Sequence, residues 1–296
     1  MSDFFSENTE KPKKSIVELY EERLFKKPVQ KPNGSLCLLI LGENGSCKSG
    51  IALDNLTEED KKNGMKEVIV DADSGCLPLI IAYHLEDYMN GNLIHIDPLE
   101  WKENEKGQSV PDYDQTLQNI SNIGLTLQKV GKKHKVKTVV LDGLSMIKKH
   151  SEFKMRLDNE LGSIVNTSFD FKFYKERRQT FNEIVNLYKS LEMDKIFIAL
   201  PDFIIPQTIN PEHPPSAITT DLNAAAFETI LCRAEEDSKG NTKWFAKLTK
   251  NKLGLEDVGK EICFSEVKVD KKGNRASNWS PELVWNLLQS EKEKKN

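Results

Sequence analysis

Between Ser35 and Gly50 the chain reads Ser-Leu-Cys-Leu-Leu-Ile-Leu-Gly-Glu-Asn-Gly-Ser-Cys-Lys-Ser-Gly, an apolar run that breaks abruptly into a glycine-bearing turn carrying Lys48 and Ser49. Few architectures can use such a segment. A strand that is apolar at consecutive positions is one buried on both faces, as in a parallel sheet covered by helices, and residues 36–41 have that pattern. Gly42 and Gly45 allow a tight bend and a close approach to a ligand. The helix expected next would point its first amides at an anion. Lys48 can then neutralise phosphate charge while the Ser49 hydroxyl ligates magnesium.

The turn comprises Gly42, Glu43, Asn44, Gly45, Ser46, Cys47, Lys48 and Ser49, and it matches the phosphate-loop pattern at every defined position except Cys47, where that pattern has glycine. A small side chain there is compatible with the loop if the backbone has already entered the helix at negative φ. The competing reading is a strand-turn-helix corner with an incidental Lys-Ser. The order of the later elements bears on the choice.

With 296 residues, of which 38% are hydrophobic, the chain has material for one α/β domain or two small ones. No stretch approaches the length of a membrane span, and the charged N-terminus lacks a signal-peptide core. A soluble, cytoplasmic protein with no membrane partner is expected. Five cysteines, Cys37, Cys47, Cys76, Cys232 and Cys263, include no C-x-x-C pair and lie in or beside apolar runs, which speaks for buried thiols rather than disulfides or zinc. The formal charge of −4 provides no global attraction to nucleic acid. Residues 1–34 read as an N-terminal arm and linker, 35–289 as the folded domain and 290–296 as a charged tail.

A helix is expected to continue over 51–56, followed by strands at 67–71 and 92–96. Tyr113, Leu117, Ile120, Ile123, Leu127 and Val130 form one helical stripe; Phe181, Ile184, Val185, Tyr188 and Leu191 form another. Each stripe runs into an apolar strand, at 138–142 and 195–200. Such alternation predicts a mostly parallel sheet with helices on both faces. After Phe227 the pattern becomes a hairpin, 227–234 with 243–249, then a strand over 261–269 and a short helix over 281–288.

Asp142 ends a buried strand, the place where nucleotide-binding α/β sheets gather their ligands. It can orient magnesium, or it can be an ordinary strand-terminating acid. Asp71 and Asp73 close the second strand two residues apart, where one can activate a water or both can serve Asx turns. Lys250 and Lys252 share one face near the end of a hairpin strand, a position at which lysines commonly only solubilise an edge.

Taken in order, Gly-Glu-Asn-Gly-Ser-Cys-Lys-Ser, Val-Ile-Val-Asp-Ala-Asp-Ser-Gly, Thr-Val-Val-Leu-Asp-Gly-Leu-Ser and Leu-Thr-Lys-Asn-Lys-Leu-Gly resemble the core of RecA-like ATPases, particularly phage and archaeal-virus recombinases, over about residues 35–270. The resemblance implies a virus-encoded, RecA-like α/β ATPase using ATP and Mg2+. It implies phosphate contacts from residues 42–49, magnesium ligation by Ser49 and Asp142, and a water-positioning carboxylate at Asp73. Lys250 and Lys252 would reach the ATP of a neighbouring protomer in a ring or filament. The chain departs from the family at Cys47, at Ala199-Leu200-Pro201, where recombinases carry a polar sensor, and in having no helix-hairpin-helix module.

On this resemblance residues 148–178 and 202–221 would carry the single-stranded DNA contacts. The first holds eight cations interleaved with Phe153, Phe169, Phe171, Phe173 and Tyr174, a composition suited to phosphate contact and base stacking or, alternatively, to a packed lid; the second holds no Lys or Arg. The expected function is ATP hydrolysis in DNA recombination, repair or replication. A KaiC-like signalling ATPase without DNA and a non-hydrolysing structural or mediator protein are the alternatives.

Overall fold

Strand β1 (Cys37–Gly42) is buried along its whole length, in a computed structural model that describes residues 35–161, 171–201, 226–252, 257–269 and 275–289. Its residues alternate between two cores. Cys37, Leu39 and Leu41 face one apolar layer, while Leu38 and Ile40 face the other. A strand apolar at every position is thus satisfied on both sides at once, which is why it can sit only in the middle of the molecule.

The chain continues through α1 (Lys48–Leu53) and α2 (Glu58–Lys62) to β2 (Lys66–Asp71), then α3 (Leu77–Tyr83), α4 (Leu85–Asn90) and β3 (Leu93–Ile96). A small hairpin, β4 (Trp101–Glu103) with β5 (Ser109–Pro111), precedes the long helix α5 (Tyr113–Val130). Next come β6 (Val136–Asp142), α6 (Leu144–Asp158), α7 (Phe171–Lys189) and β7 (Asp194–Ala199). The last described elements are β8 (Glu228–Glu236), β9 (Thr242–Asn251), β10 (Glu261–Val269), β11 (Arg275–Trp279) and α8 (Glu282–Gln289).

Nine described strands form one sheet in the order β11-β10-β9-β8-β1-β7-β6-β2-β3. From β8 to β3 all pairings are parallel, and β8 to β11 form an antiparallel extension. This is the expected architecture: a mostly parallel sheet, helices on both faces and a C-terminal antiparallel hairpin. Residues of α5, α6 and α7 pack one face, and those of α1, α3 and α8 pack the other. Because β1 is flanked by β7 and β8, its carboxyl end opens onto the crevice where chain order reverses, the usual ligand position in such sheets.

Local chemistry explains most boundaries. Asp112 caps α5 by accepting from the Gln115 amide, and the expected stripe supplies its buried face. The helix after the turn stops at Leu53, short of the expected 56, because Thr57 and Asp60 form a capping box that starts α2. Helices α2, α3, α4 and α6, hairpin β4–β5 and strand β11 were not anticipated.

Residues 144–158 and 171–189 are helices, so the segment 148–178 is not, in its described part, an open DNA-binding loop. Much of its charge is spent internally. Arg156 is buried and bonds Glu152, Arg177 Nη1 lies 2.9 Å from the same Glu152 carboxylate, and Lys154 bridges Asp114 and Asp158 at 3.0 and 2.8 Å. Phe153 stacks on Tyr113 at 5.0 Å between ring centroids, the packed role that the alternative reading described. The second candidate segment, 202–221, lies outside the described residues, as do the arm at 1–34 and the tail at 290–296. Cys37, Cys76 and Cys232 are buried as expected and Cys47 is half-buried, but Cys263 is exposed because it occupies an outward position on β10.

Candidate nucleotide site

At the end of β1 the chain turns through Glu43, Asn44 and Gly45, all exposed, and enters α1 at Lys48. A Cβ on Gly42 would lie 2.4 Å from Ser46 Oγ and 2.5 Å from the Cys232 carbonyl oxygen, so only glycine lets the strand end this close to its neighbours. The Glu43 carbonyl oxygen organises the turn. It accepts from Ser46 N at 3.2 Å, Ser46 Oγ at 2.7 Å and Lys48 Nζ at 2.7 Å. Three donors converge on an oxygen with two lone pairs, and the lysine is the member free to swing toward a ligand.

Cys47 does not enter the helix at negative φ. It caps α1 in the left-handed region, at φ 61° and ψ 26°, which accounts for glycine being the usual residue there. Gly45, two residues earlier, also has positive φ, at 78°. Left-handed residues alternating with others turn successive amides toward one side and make anion-binding concavities. The loop therefore keeps its shape in spite of the cysteine, at a conformational cost that glycine would not incur.

Asp142, at the end of β6, is buried and reaches across to α1. Ser49 Oγ donates to its Oδ2 at 2.5 Å. Cys76, the residue before α3, donates its thiol to the same oxygen at 3.1 Å. Burial raises the Asp142 carboxyl above its ordinary range, opposed by these two hydrogen bonds. Burial lowers Lys48, with the charges of Asp142 and Asp73 acting the other way.

The two acids of β2's end separate cleanly. Asp71 is wholly buried and accepts from Gly75 N at 3.1 Å and Cys76 N at 2.8 Å, with His95 Nε2 at 2.9 Å. It holds the turn into α3 through amides four and five residues on, whereas the bond of Asx-turn type, to the amide two residues on, is made by Asp73; with no exposed surface, Asp71 is out of a substrate's reach. Asp73 stands at the mouth, reaching solvent, with Gly75 N donating to its Oδ1 at 3.2 Å. Partial burial, then Asp142, then a hydrogen bond with Asp71 push its carboxyl up to about 6. Gly143, at φ 84°, would place a Cβ 3.0 Å from the Asp73 amide, so the glycine after Asp142 lets the two acidic turns approach.

These groups line one cleft of about 260 Å³, with Asn44, Lys48, Ser49, Asp73, Asp142 and Ser145 among its walls. Ser145 was not anticipated. Its Oγ accepts from the Leu200 amide at 3.1 Å and supplies a polar group beside β7's end, where Ala199-Leu200-Pro201 offers none. Cys76 and Trp244, whose Nε1 donates to the Gly45 carbonyl at 2.8 Å, are further neighbours from distant segments.

The residues suit a nucleotide with a hard divalent cation. Amides, a lysine and the Gly42 bend fit phosphate, while Ser49 and Asp142 present oxygen ligands to magnesium. Cys76 Sγ lies with Asp71 and Asp142 oxygens within 4.8 Å of one another, but Asp71 is engaged by three donors of its own and serves as support.

Lys250 and Lys252 are not brought to this cleft. Lys250 pairs with Thr229, itself opposite Leu39, and Lys252 N donates to the Phe227 carbonyl, level with Cys37. Leu39 and Cys37 are three and five residues before Gly42, roughly 10 and 17 Å along the strand. The two lysines thus lie toward the opposite end of the sheet from their own phosphate loop.

No protein-family model matches the chain, and no curated protein does. Among solved structures it is similar to a KaiC-like protein from the hyperthermophilic archaeon Pyrococcus horikoshii, at 12% identity and a TM-score of 0.46, over 81% of this chain and 88% of that one. It is similar also to the flagellar accessory protein FlaH from Methanocaldococcus jannaschii, at 15% identity and a TM-score of 0.42, over 84% of this chain and 91% of the other. No described helix is long and apolar enough to cross a membrane.

Proposed function

We propose that the chain binds ATP with Mg2+ at the end of β1 and hydrolyses it. The observation that supports this most directly is the 2.5 Å bond from Ser49 to Asp142, which joins the loop serine to a buried acid two strands away in the sheet order. The parts then have separate tasks. The amides of residues 43–49 and Lys48 hold phosphate oxygens, and Lys48 leaves the Glu43 carbonyl to do so. Ser49 and Asp142 hold the magnesium, which supplies charge neutralisation at the phosphates. Asp73, deprotonated above about pH 6, accepts the proton of the attacking water.

Lys250 and Lys252 are too far from their own loop to act there, which supports a role at a neighbouring protomer's site in a homo-oligomer. In that arrangement turnover per subunit rises with protein concentration. A Lys250→Ala/Lys252→Ala variant mixed with a Lys48→Ala variant regains activity that neither has alone, because one hybrid interface combines an intact loop with intact lysines. Concentration-independent turnover and no complementation on mixing would remove these lysines from the mechanism.

A role on single-stranded DNA in recombination, repair or replication is what the sequence resemblance suggests. The internal pairing of Lys154, Arg156 and Arg177 supports instead the KaiC-like alternative, an ATPase independent of DNA. Turnover measured with and without single-stranded DNA separates the two. Absence of magnesium-dependent phosphate release at saturating ATP would leave a structural protein.

A further inference from the structure

Three indole N–H groups from the C-terminal part of the chain converge on the loop and its helix. Trp244 on β9 donates to the Gly45 carbonyl at 2.8 Å, Trp285 on α8 donates to the Ile51 carbonyl at 3.2 Å, and Trp279 on β11 donates to Asp54 at 2.8 Å. The Trp279 ring also covers Gly50, where a Cβ would come within 2.9 Å of it. The parallel sheet supplies the phosphate loop, and the antiparallel extension holds it from outside.

Trp244 differs from the other two in acting on the loop itself. The Gly45 carbonyl and the Ser46 N–H belong to one planar peptide unit. Trp244 fixes its oxygen side and the Glu43 carbonyl, 3.2 Å from Ser46 N, fixes its nitrogen side. Gly45 has positive φ and nothing within 4 Å of where its Cβ would be, so no packing restrains it. Without the indole, only the 3.2 Å bond from Ser46 N to the Glu43 carbonyl would hold this glycine peptide in an exposed turn, and its orientation, with that of the neighbouring amides, would be less well fixed. The indole is itself anchored, since Trp244 pairs with Ala234 and Ser265 across the antiparallel strands and packs against the core under α1.

We propose that Trp244 is a positioning residue for the phosphate loop, preorganising the Gly45–Ser46 peptide for phosphate through its indole N–H. This rests on the proposed nucleotide site. Loss of one hydrogen bond that preorganises binding corresponds to a roughly three- to tenfold weaker ATP affinity.

The test uses the full-length protein and a fluorescent ATP analogue. Trp244→Phe, which keeps an aromatic ring but removes the donor, should raise the dissociation constant three- to tenfold, raise KM in proportion and leave kcat and the urea midpoint nearly unchanged. Should that variant fold poorly, benzothienylalanine at 244 replaces N–H by sulfur at nearly constant shape and should give the same result. Trp285→Phe is the control, because its bond lies within the body of α1, and it should lower stability without lowering affinity. Equal affinity of wild type and the benzothienylalanine protein would overturn the inference, as would an equal loss of affinity in Trp285→Phe, which would mean general loosening. Wild-type protein that binds no nucleotide would instead overturn the site assignment, and this inference with it.

Discussion

Replacing Lys48 by alanine tests the site at its most exposed assumption. In the structure the ammonium spends its hydrogen bond on the Glu43 carbonyl, which keeps two other donors, Ser46 N and Ser46 Oγ, when the lysine is removed. The loop should therefore survive, and melting without nucleotide should shift little. Binding should not survive intact. A charge-assisted hydrogen bond is worth about 1.5–3 kcal/mol, so ATP affinity should fall roughly 10- to 150-fold. At an ATP concentration 100 times the wild-type dissociation constant, wild-type protein gains about 2.7 kcal/mol, which for a domain of this size is a rise in melting temperature of roughly 5–10 °C. A variant weakened about 50-fold gains about 0.6 kcal/mol under the same conditions, a rise of roughly 1–3 °C. Thermal melts with and without ATP and Mg2+, paired with a direct titration, measure both quantities. An unchanged affinity, or an equal thermal rise in both proteins, would refute the phosphate-loop assignment.

Asp73→Asn and Asp142→Asn should both suppress turnover while ATP still binds, but added magnesium should partly rescue only Asp142→Asn, since Asp73 holds no metal in this scheme; rescue of both or neither would dissolve the division of roles. Because the Asp73 carboxyl is pushed up to about 6, wild-type kcat/KM should rise with pH through that region, and any residual activity of Asp73→Asn should lack this limb. Cys47→Gly should remove a left-handed penalty of about 1–2 kcal/mol, partly offset by about 0.5–1 kcal/mol of extra chain freedom, and keep or modestly raise ATPase activity. The Cys47 thiol, pushed up to about 11 by burial, should alkylate slowly and more slowly still under ATP; indifference to ATP would place it away from the nucleotide. Glu67 is wholly buried, and burial, reinforced by Asp54 and Asp87, raises its carboxyl well above the usual range. The folded protein thus keeps a proton that the unfolded chain releases above about pH 4.5, so stability falls as pH rises from there. Glu67→Gln should flatten that fall in urea titrations at pH 5 and 8; an unaltered pH slope would show that Glu67 is ionised.

The periodic parts of this chain could be read without a structure because their signals are local. An uninterrupted apolar strand must be buried on both faces, a stripe such as Leu117, Ile120 and Leu127 must cover a sheet, and a glycine-bearing turn ahead of Lys-Ser must lie at a strand's carboxyl end. Hence the order of strands and helices, the loop at 42–49 and the acid at Asp142 were accessible from one dimension. Helix α6 was not, because its Lys-x-Arg pair resembles a nucleic-acid loop until helical geometry sets Glu152 and Asp158 one turn away and the fold brings Asp114 against Lys154. Local rules also misjudged Cys47. Negative φ suits a cysteine in isolation, but the end of β1 and the start of α1 are held by the sheet and the core, and the residue joining them takes the φ that geometry leaves. Long-range pairings decided the rest: the Cys76 thiol on Asp142, Ser145 beside Leu200, and an indole that reaches Gly45 from 199 residues along the chain. No spacing rule links such positions, because the contact arises from the register of an antiparallel extension on a parallel sheet, and register exists only once the strands have paired.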